Sequence, residues 1–257
     1  MPTLVTFDRH LAALRGSAAV LRAAAASAGL DAKVPTCPAW DVRKLVTHQG
    51  MVHRWAAANL RRERNYKTSA SRAAAEAAPD LLEWFSTGVD ALIDTVSATA
   101  EDAKAMVFLN DAPPPRWFWA RRQAHETTIH SVDAVAAALG RRPATADVGL
   151  DPVLATDGID ELLCGFITRG KGGLLPAAEP YTLLVRTADT GHAWTLRIGD
   201  GPIATTAGQT DTPDAVFSGS AVQLYLSLWN RTDEITVTGP ADLLAQWRSG
   251  MDLAVLI

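Results

Sequence analysis

Residues 116–139, RWFWARRQAHETTIHSVDAVAAAL, decide the fold. They follow Pro113-Pro114-Pro115, which cannot lie inside a helix, and they precede Gly140, a residue suited to the left-handed turn that ends one. Nothing between these stops interrupts helical spacing, so the stretch predicts one long helix. Arg122, Glu126, His130 and Asp133 are separated by four, four and three residues and share one of its faces. Trp117, Ala124, Thr128, Val132, Val135 and Leu139 form the opposite stripe, the one a helical core would use. The polar stripe must then meet either water or a chemical site.

Upstream, the chain reads as three further helices separated by proline-marked breaks. The first runs from Asp8 to Leu30, and the turn Asp31 to Trp40 follows with Pro35 and Pro38. The second opens at Asp41, whose carboxylate can accept from the orphan N–H groups of a first helical turn, and carries Leu45, His48, Val52 and Trp55 at helical spacing. A polar link rich in Arg and Ala leads to Pro79-Asp80, where the third begins with Leu81, Leu82, Trp84, Phe85, Val89, Leu92, Ile93 and Val96. Asp102 to Pro115 is a connection. The expectation is an antiparallel four-helix bundle with unequal connections.

Downstream of Arg142-Pro143 the texture changes, with more Thr, Val, Gly and Asp and period-2 segments at Tyr181 to Thr187, Ala193 to Ile198 and Ile235 to Thr238. Pro152 to Thr168, Ala221 to Trp229 and Ala241 to Trp247 read as helices, and Asp189-Thr190-Gly191 as a hairpin turn. This order predicts an α+β sandwich, dividing the chain into a bundle over 1–144 and a smaller α+β domain over 145–257.

Composition bounds the function. A chain of 257 residues with 48% hydrophobic and 20% charged residues has the composition of a folded protein, which excludes disordered and fibrous classes. A formal net charge of −4 gives no general attraction to phosphate backbones, so no nucleic-acid partner is expected. Cys37 and Cys164, far apart in sequence, build neither a disulfide framework nor a cysteine-rich zinc module and fit a reducing cytoplasm. Asp8, His10, Arg15 and Arg22 interrupt the N-terminal region, so neither a signal-peptide core nor a membrane span is expected there.

Glu126 and His130 offer a carboxylate oxygen and an imidazole nitrogen one turn apart, an arrangement with which a helix can grip a divalent metal. His48, in register with Leu45, Val52 and Trp55, points into the bundle and supplies a third ligand, leaving positions open on the ion as in catalytic centres. Asp133 orients the His130 ring or adds a ligand. The plain alternative pairs Glu126 with Arg122, makes His48 a satisfied core histidine and leaves His130 on a solvated face. His53 and His125 each sit five residues from a preferred ligand and point away from it; His10 and His192 have no visible partner. No His-Glu-x-x-His run is present, which counts against peptide hydrolysis.

The segments Cys37-Pro38-Ala39-Trp40-Asp41-Val42-Arg43 with Leu45-Val46-Thr47-His48, and Ala124-His125-Glu126-Thr127-Thr128-Ile129-His130 with Asp133, resemble the mycothiol-dependent maleylpyruvate isomerase family. That family belongs to the DinB-like metal-binding four-helix bundles, and its metal-site pattern falls on His48, Glu126, His130 and Asp133. Asp41 stands where the family pattern has Thr or Ser as the helix cap. The resemblance continues through Gly219 to Arg231, Val237-Thr238-Gly239 and Leu243-Leu244, which is similar to the family's sterol-carrier-like C-terminal domain. It implies a divalent metal, zinc, held by His48, Glu126 and His130; mycothiol as thiol cosubstrate; Asp133 and Arg231 as catalytic residues; and a cleft between the domains to which Arg231 contributes. It also implies addition of the thiolate to an electrophilic small molecule, as isomerisation or S-transfer.

Two other classes use the same residues: a metal-dependent hydrolase, which needs a general base such as Asp133, and a non-catalytic metal- or ligand-binding protein. Thiol dependence separates the first and absence of turnover the second. A monomer or homodimer is expected. Cys37 and Cys164 read as packed thiols. Arg61, Arg62, Arg64 and Lys67 read as cations suited to a helix C-terminus, and Gly170-Lys171-Gly172-Gly173 as a connector without Walker spacing.

Overall fold

The computed structural model describes residues 5–110, 112–169 and 179–250. It divides into two compact units. The first comprises Thr6–Phe108 and Pro113–Pro143; the second comprises the described parts of Met1–Val5, Leu109–Ala112 and Ala144–Ile257.

The first unit is a bundle of four long helices, α1 (Phe7–Ala28), α2 (Val42–Leu60), α4 (Leu81–Ala98) and α5 (Pro115–Leu139), with a short helix α3 (Thr68–Glu76) between α2 and α4. Each long helix starts where local chemistry allows. Thr6 accepts from Arg9 N, Asp41 from Lys44 N, and Asp80 from Leu82 N and Glu83 N, each satisfying donors that the first turn leaves orphaned. Pro115 occupies the first turn of α5, where no N–H is needed, and Gly140 ends it at φ 66°. The α3 helix corrects the expected polar link: its Ala-rich run has the propensity to close one short helix, and it buries only Ser71 and Ala75.

Helix α1 packs chiefly on α5, and α2 on both α4 and α5. The α2–α4 crossing is close. A Cβ at Gly50 would overlap the Trp84 ring and one at Gly88 the Arg54 guanidinium. That guanidinium lies 3.7 Å from the centre of the Trp84 ring and donates to Gly50 O and Trp84 O. Helix α5 is buried without a break from Phe118 to Ala134. The two-stripe expectation is therefore corrected: Arg121, Gln123, His125 and Thr127 are inside as well, whereas Leu139, expected in the core, is 41% exposed in the last turn.

The second unit carries α6 (Pro152–Asp160), which runs through a π turn (Glu161–Phe166) into a 3₁₀ turn (Ile167–Arg169). The single helix expected over 152–168 thus changes winding twice. A five-stranded sheet follows, formed by β1 (Tyr181–Thr187), β2 (Ala193–Ile198), β3 (Ala204–Ala207), β4 (Ala215–Gly219) and β5 (Thr236–Thr238) in the order β3-β2-β1-β4-β5. All pairings are antiparallel except β1 with β4. The β1–β2 hairpin turns at Asp189-Thr190-Gly191, with Gly191 at φ 71°. Strands β3 and β4 were not legible in sequence, because runs of four and five residues hold too little alternation to stand out. Leu183, Val185, Trp194, Leu196 and Phe217 form the buried face, on which Trp247 of α8 (Leu243–Gly250) packs edge-on to Phe217. Trp247 donates to Leu228 O at the end of α7 (Ala221–Leu228). The glycine-rich stretch 170–173 lies outside the described residues.

Candidate metal centre

Helices α2 and α5 bring His48, Glu126 and His130 together: one ligating atom from each lies within 4.8 Å of the others. Glu126 Oε1 is 3.8 Å from His48 Nε2 and 3.5 Å from His130 Nε2. Among the described residues, neither His48 Nε2 nor Glu126 Oε1 has a hydrogen-bond partner, although both atoms are buried. Buried polar atoms are nearly always satisfied, so two unpaired acceptors converging with a third nitrogen fit a cation, and the nitrogen–nitrogen–oxygen set suits a divalent transition metal.

The carboxylate serves two partners at once. Its other oxygen, Oε2, accepts from Arg122 Nη2 at 2.9 Å, so the ion pair of the plain alternative coexists with the cluster. Burial works to raise the Glu126 pKa, but the Arg122 charge and the two histidines hold it well below the usual carboxylate range. His48 is pushed down by burial, which keeps its lone pair available, the Glu126 carboxylate opposing only in part. His130 is pushed up: burial lowers it, but Asp133 and Glu126 together outweigh that.

Asp133 stands one turn along α5 and is fully buried. His130 Nδ1 lies 2.9 Å from its Oδ2, which directs Nε2 toward Glu126. The turn before α2 also reaches this carboxylate, with Thr36 donating to Oδ1 at 2.5 Å and Cys37 Sγ to Oδ2 at 3.6 Å. Cys37 is therefore part of the site's surroundings and not merely a packed thiol. The Trp40 ring stacks on His130 at 5.7 Å and lies 4.8 Å from the His48 ring. The PTCPAWD run at residues 35–41, just ahead of a helix that supplies a candidate ligand, is the sequence signal that could have found Thr36, Cys37 and Trp40.

The remaining histidines go elsewhere. His53 is sealed between Gln49 and Thr127, both within hydrogen-bonding distance of its Nε2, and burial pushes its pKa down to about 3. His125 meets His10 edge-on at 6.0 Å, which corrects the reading of His10 as lacking a partner. His192, read the same way, has Nδ1 3.4 Å from Thr190 Oγ1. Cys164 Sγ donates to Asp160 Oδ1 at 3.4 Å. Arg231 lies in the second unit just after α7, is 1% exposed and donates through Nη1 to Trp229 O at 2.6 Å.

A helical bundle in which two histidines and a glutamate bring ligating atoms within 4.8 Å of one another has a group that could hold a metal ion, here on a chain that also carries an α+β unit. Residues 11–135 match the Mycothiol maleylpyruvate isomerase N-terminal domain, and residues 153–246 match the MDMPI C-terminal domain. The chain belongs to the mycothiol maleylpyruvate isomerase family, whose namesake is an enzyme. It is similar in fold to the crystal structure of the mycothiol-dependent maleylpyruvate isomerase, with TM-score 0.61 and 17% identity over 93% of this chain and 96% of that one. A histidine-to-alanine mutant of that enzyme gives the same TM-score, identity and coverage. No curated protein matches the chain in sequence. Among the described residues no helix is long and apolar enough to cross a membrane.

Proposed function

We propose that this chain is a metal-dependent, mycothiol-using enzyme that adds a thiolate to an electrophilic small molecule, transiently in a cis–trans isomerisation or permanently in S-transfer. One observation carries the reading: the ligating atoms of His48, Glu126 and His130 lie within 4.8 Å, and two of them are buried without a hydrogen-bond partner. A divalent cation, zinc, held by these three residues would lower the pKa of a low-molecular-weight thiol and fix its sulfur, so that no protein cysteine is needed as nucleophile.

The chain's own groups prepare that chemistry. Arg122 keeps Glu126 ionised inside the bundle. Asp133 holds the Nδ1 proton of His130 and leaves Nε2 as the ligating atom. Trp40 packs against both histidine rings and limits water around them. Arg231 enters as a catalytic residue on the family resemblance alone. The proposal places the enzyme in the cytoplasm, where small thiols stay reduced.

Metal analysis of the purified protein tests the ligand set: stoichiometric zinc is expected, with loss in His48→Ala, and undiminished zinc in that variant removes the assignment. Turnover of a cis-enediacid with and without mycothiol tests the cosubstrate. Equal rates in both arms overturn the thiol role, and thiol-independent cleavage of an ester substrate would point to a hydrolase instead.

A further inference from the structure

The turn ahead of α2 is built before it reaches the site. Cys37 N donates to Val34 O at 2.9 Å, Val34 N to Trp40 O at 3.1 Å and Trp40 N to Cys37 O at 2.8 Å, closing residues 34–40 on themselves. At its base Lys33 bridges to Asp41, and Val42 N donates to Ala32 O. The backbone beneath Thr36 and Cys37 is therefore rigid, and both side chains are delivered to one carboxylate that lies 97 and 96 positions away.

We propose that Thr36, assisted by Cys37, is a positioning residue that locks the Asp133 carboxylate so that His130 presents Nε2 to the metal centre. The two carboxylate oxygens of Asp133 have different partners. Oδ2 lies 2.9 Å from His130 Nδ1, and that contact alone leaves the carboxylate able to swing about its Cβ–Cγ bond. The 2.5 Å bond from Thr36 to Oδ1 holds the second oxygen and removes that freedom. Cys37 adds a weaker donor to Oδ2 at 3.6 Å. With both oxygens fixed, the plane of the carboxylate fixes the plane and tautomer of the imidazole. Thr36 is 7% exposed and Asp133 0%, so water does not replace a lost hydroxyl easily. Thus a residue far in sequence from His130 sets the aim of that ligand.

This inference rests on the metal reading above, and its test separates the two. Zinc affinity is measured by chelator competition for the parent, Thr36→Val, Thr36→Ser, Cys37→Ala and Asp133→Asn, with the absorption spectrum of the cobalt-loaded forms as a second readout. Loss of a group that orients a ligand costs about 10- to 100-fold in affinity. Thr36→Val is expected to weaken zinc binding about 10-fold and to shift the cobalt bands, and Thr36→Ser to restore both; Cys37→Ala is expected to fall between parent and Thr36→Val. If Thr36→Val does not fold, Thr36→Ala is measured in its place. Affinity unchanged in the hydroxyl-free variant, or lost equally with Thr and Ser exchanged, overturns the positioning role even when the parent binds zinc tightly. A parent that binds neither zinc nor cobalt overturns the metal reading and this inference with it.

Discussion

Replacing Arg122 by Met removes the positive charge from a carboxylate inside the bundle while keeping most of the volume of the side-chain stem. Arg122 Nη2 and Glu126 Oε2 are 2.9 Å apart, on side chains 3% and 5% exposed. Unit charges at that separation attract by roughly 6 kcal/mol at an effective dielectric near 20. The net loss when one partner of a buried pair is removed is about 3–5 kcal/mol, because the remaining charge cannot be rehydrated. Thermal and urea unfolding of the metal-free protein at pH 7 should report this, with a drop in Tm on the order of 10 °C. Adding Glu126→Gln should recover most of the loss, since a neutral amide needs no cation. The pH dependence has a definite sign. Glu126 is depressed in the folded state, so its contribution is present above its ordinary value of 4.5 and is lost as pH falls through the folded value. Without Arg122 the folded value rises and the loss begins at higher pH. A variant that melts within a degree of the parent, or a double variant no better than Arg122→Met alone, would refute the reasoning.

Gly50→Ala should destabilise by about 1–3 kcal/mol in denaturant unfolding, reversing the usual helical gain, because its Cβ overlaps the Trp84 ring that Arg54 holds in place. His53, neutral in the fold with a pKa of about 3 against an ordinary 6.5, makes stability fall as pH drops below 6.5 toward 3, by at most about 1.4 kcal/mol per pH unit. His53→Asn should flatten that part of the stability–pH curve, and an unchanged slope would rule the assignment out. Cobalt binding should quench part of the tryptophan emission through Trp40, and Trp40→Phe should abolish that fraction. Equal quenching in both proteins would place the cobalt elsewhere.

Much of the candidate centre's convergence was legible because its residues sit at helical spacing. Glu126, His130 and Asp133 declare a shared face by steps of four and three, and His48 declares its inward direction through Leu45 and Val52. The contacts that sequence did not show act across the fold. Thr36 and Cys37 lie 97 and 96 positions from Asp133, in a turn where no periodicity says which way a side chain points. His53 looked like a bystander five residues from His48, yet it pairs with Thr127 between α2 and α5 at 2.8 Å.

From sequence alone came the helical breaks, the caps at Asp41 and Gly140, the change of texture after Arg142 and the candidate ligands. All of these are local properties of backbone freedom and side-chain spacing. Tertiary packing decided that α5 is buried on every side, that Glu126 divides its two oxygens between Arg122 and the histidines, and that a proline-bounded turn grips Asp133. These depend on which surfaces meet and at what distance, and burial gives each polar pair its energetic weight. The spacing of residues along the chain carries neither quantity.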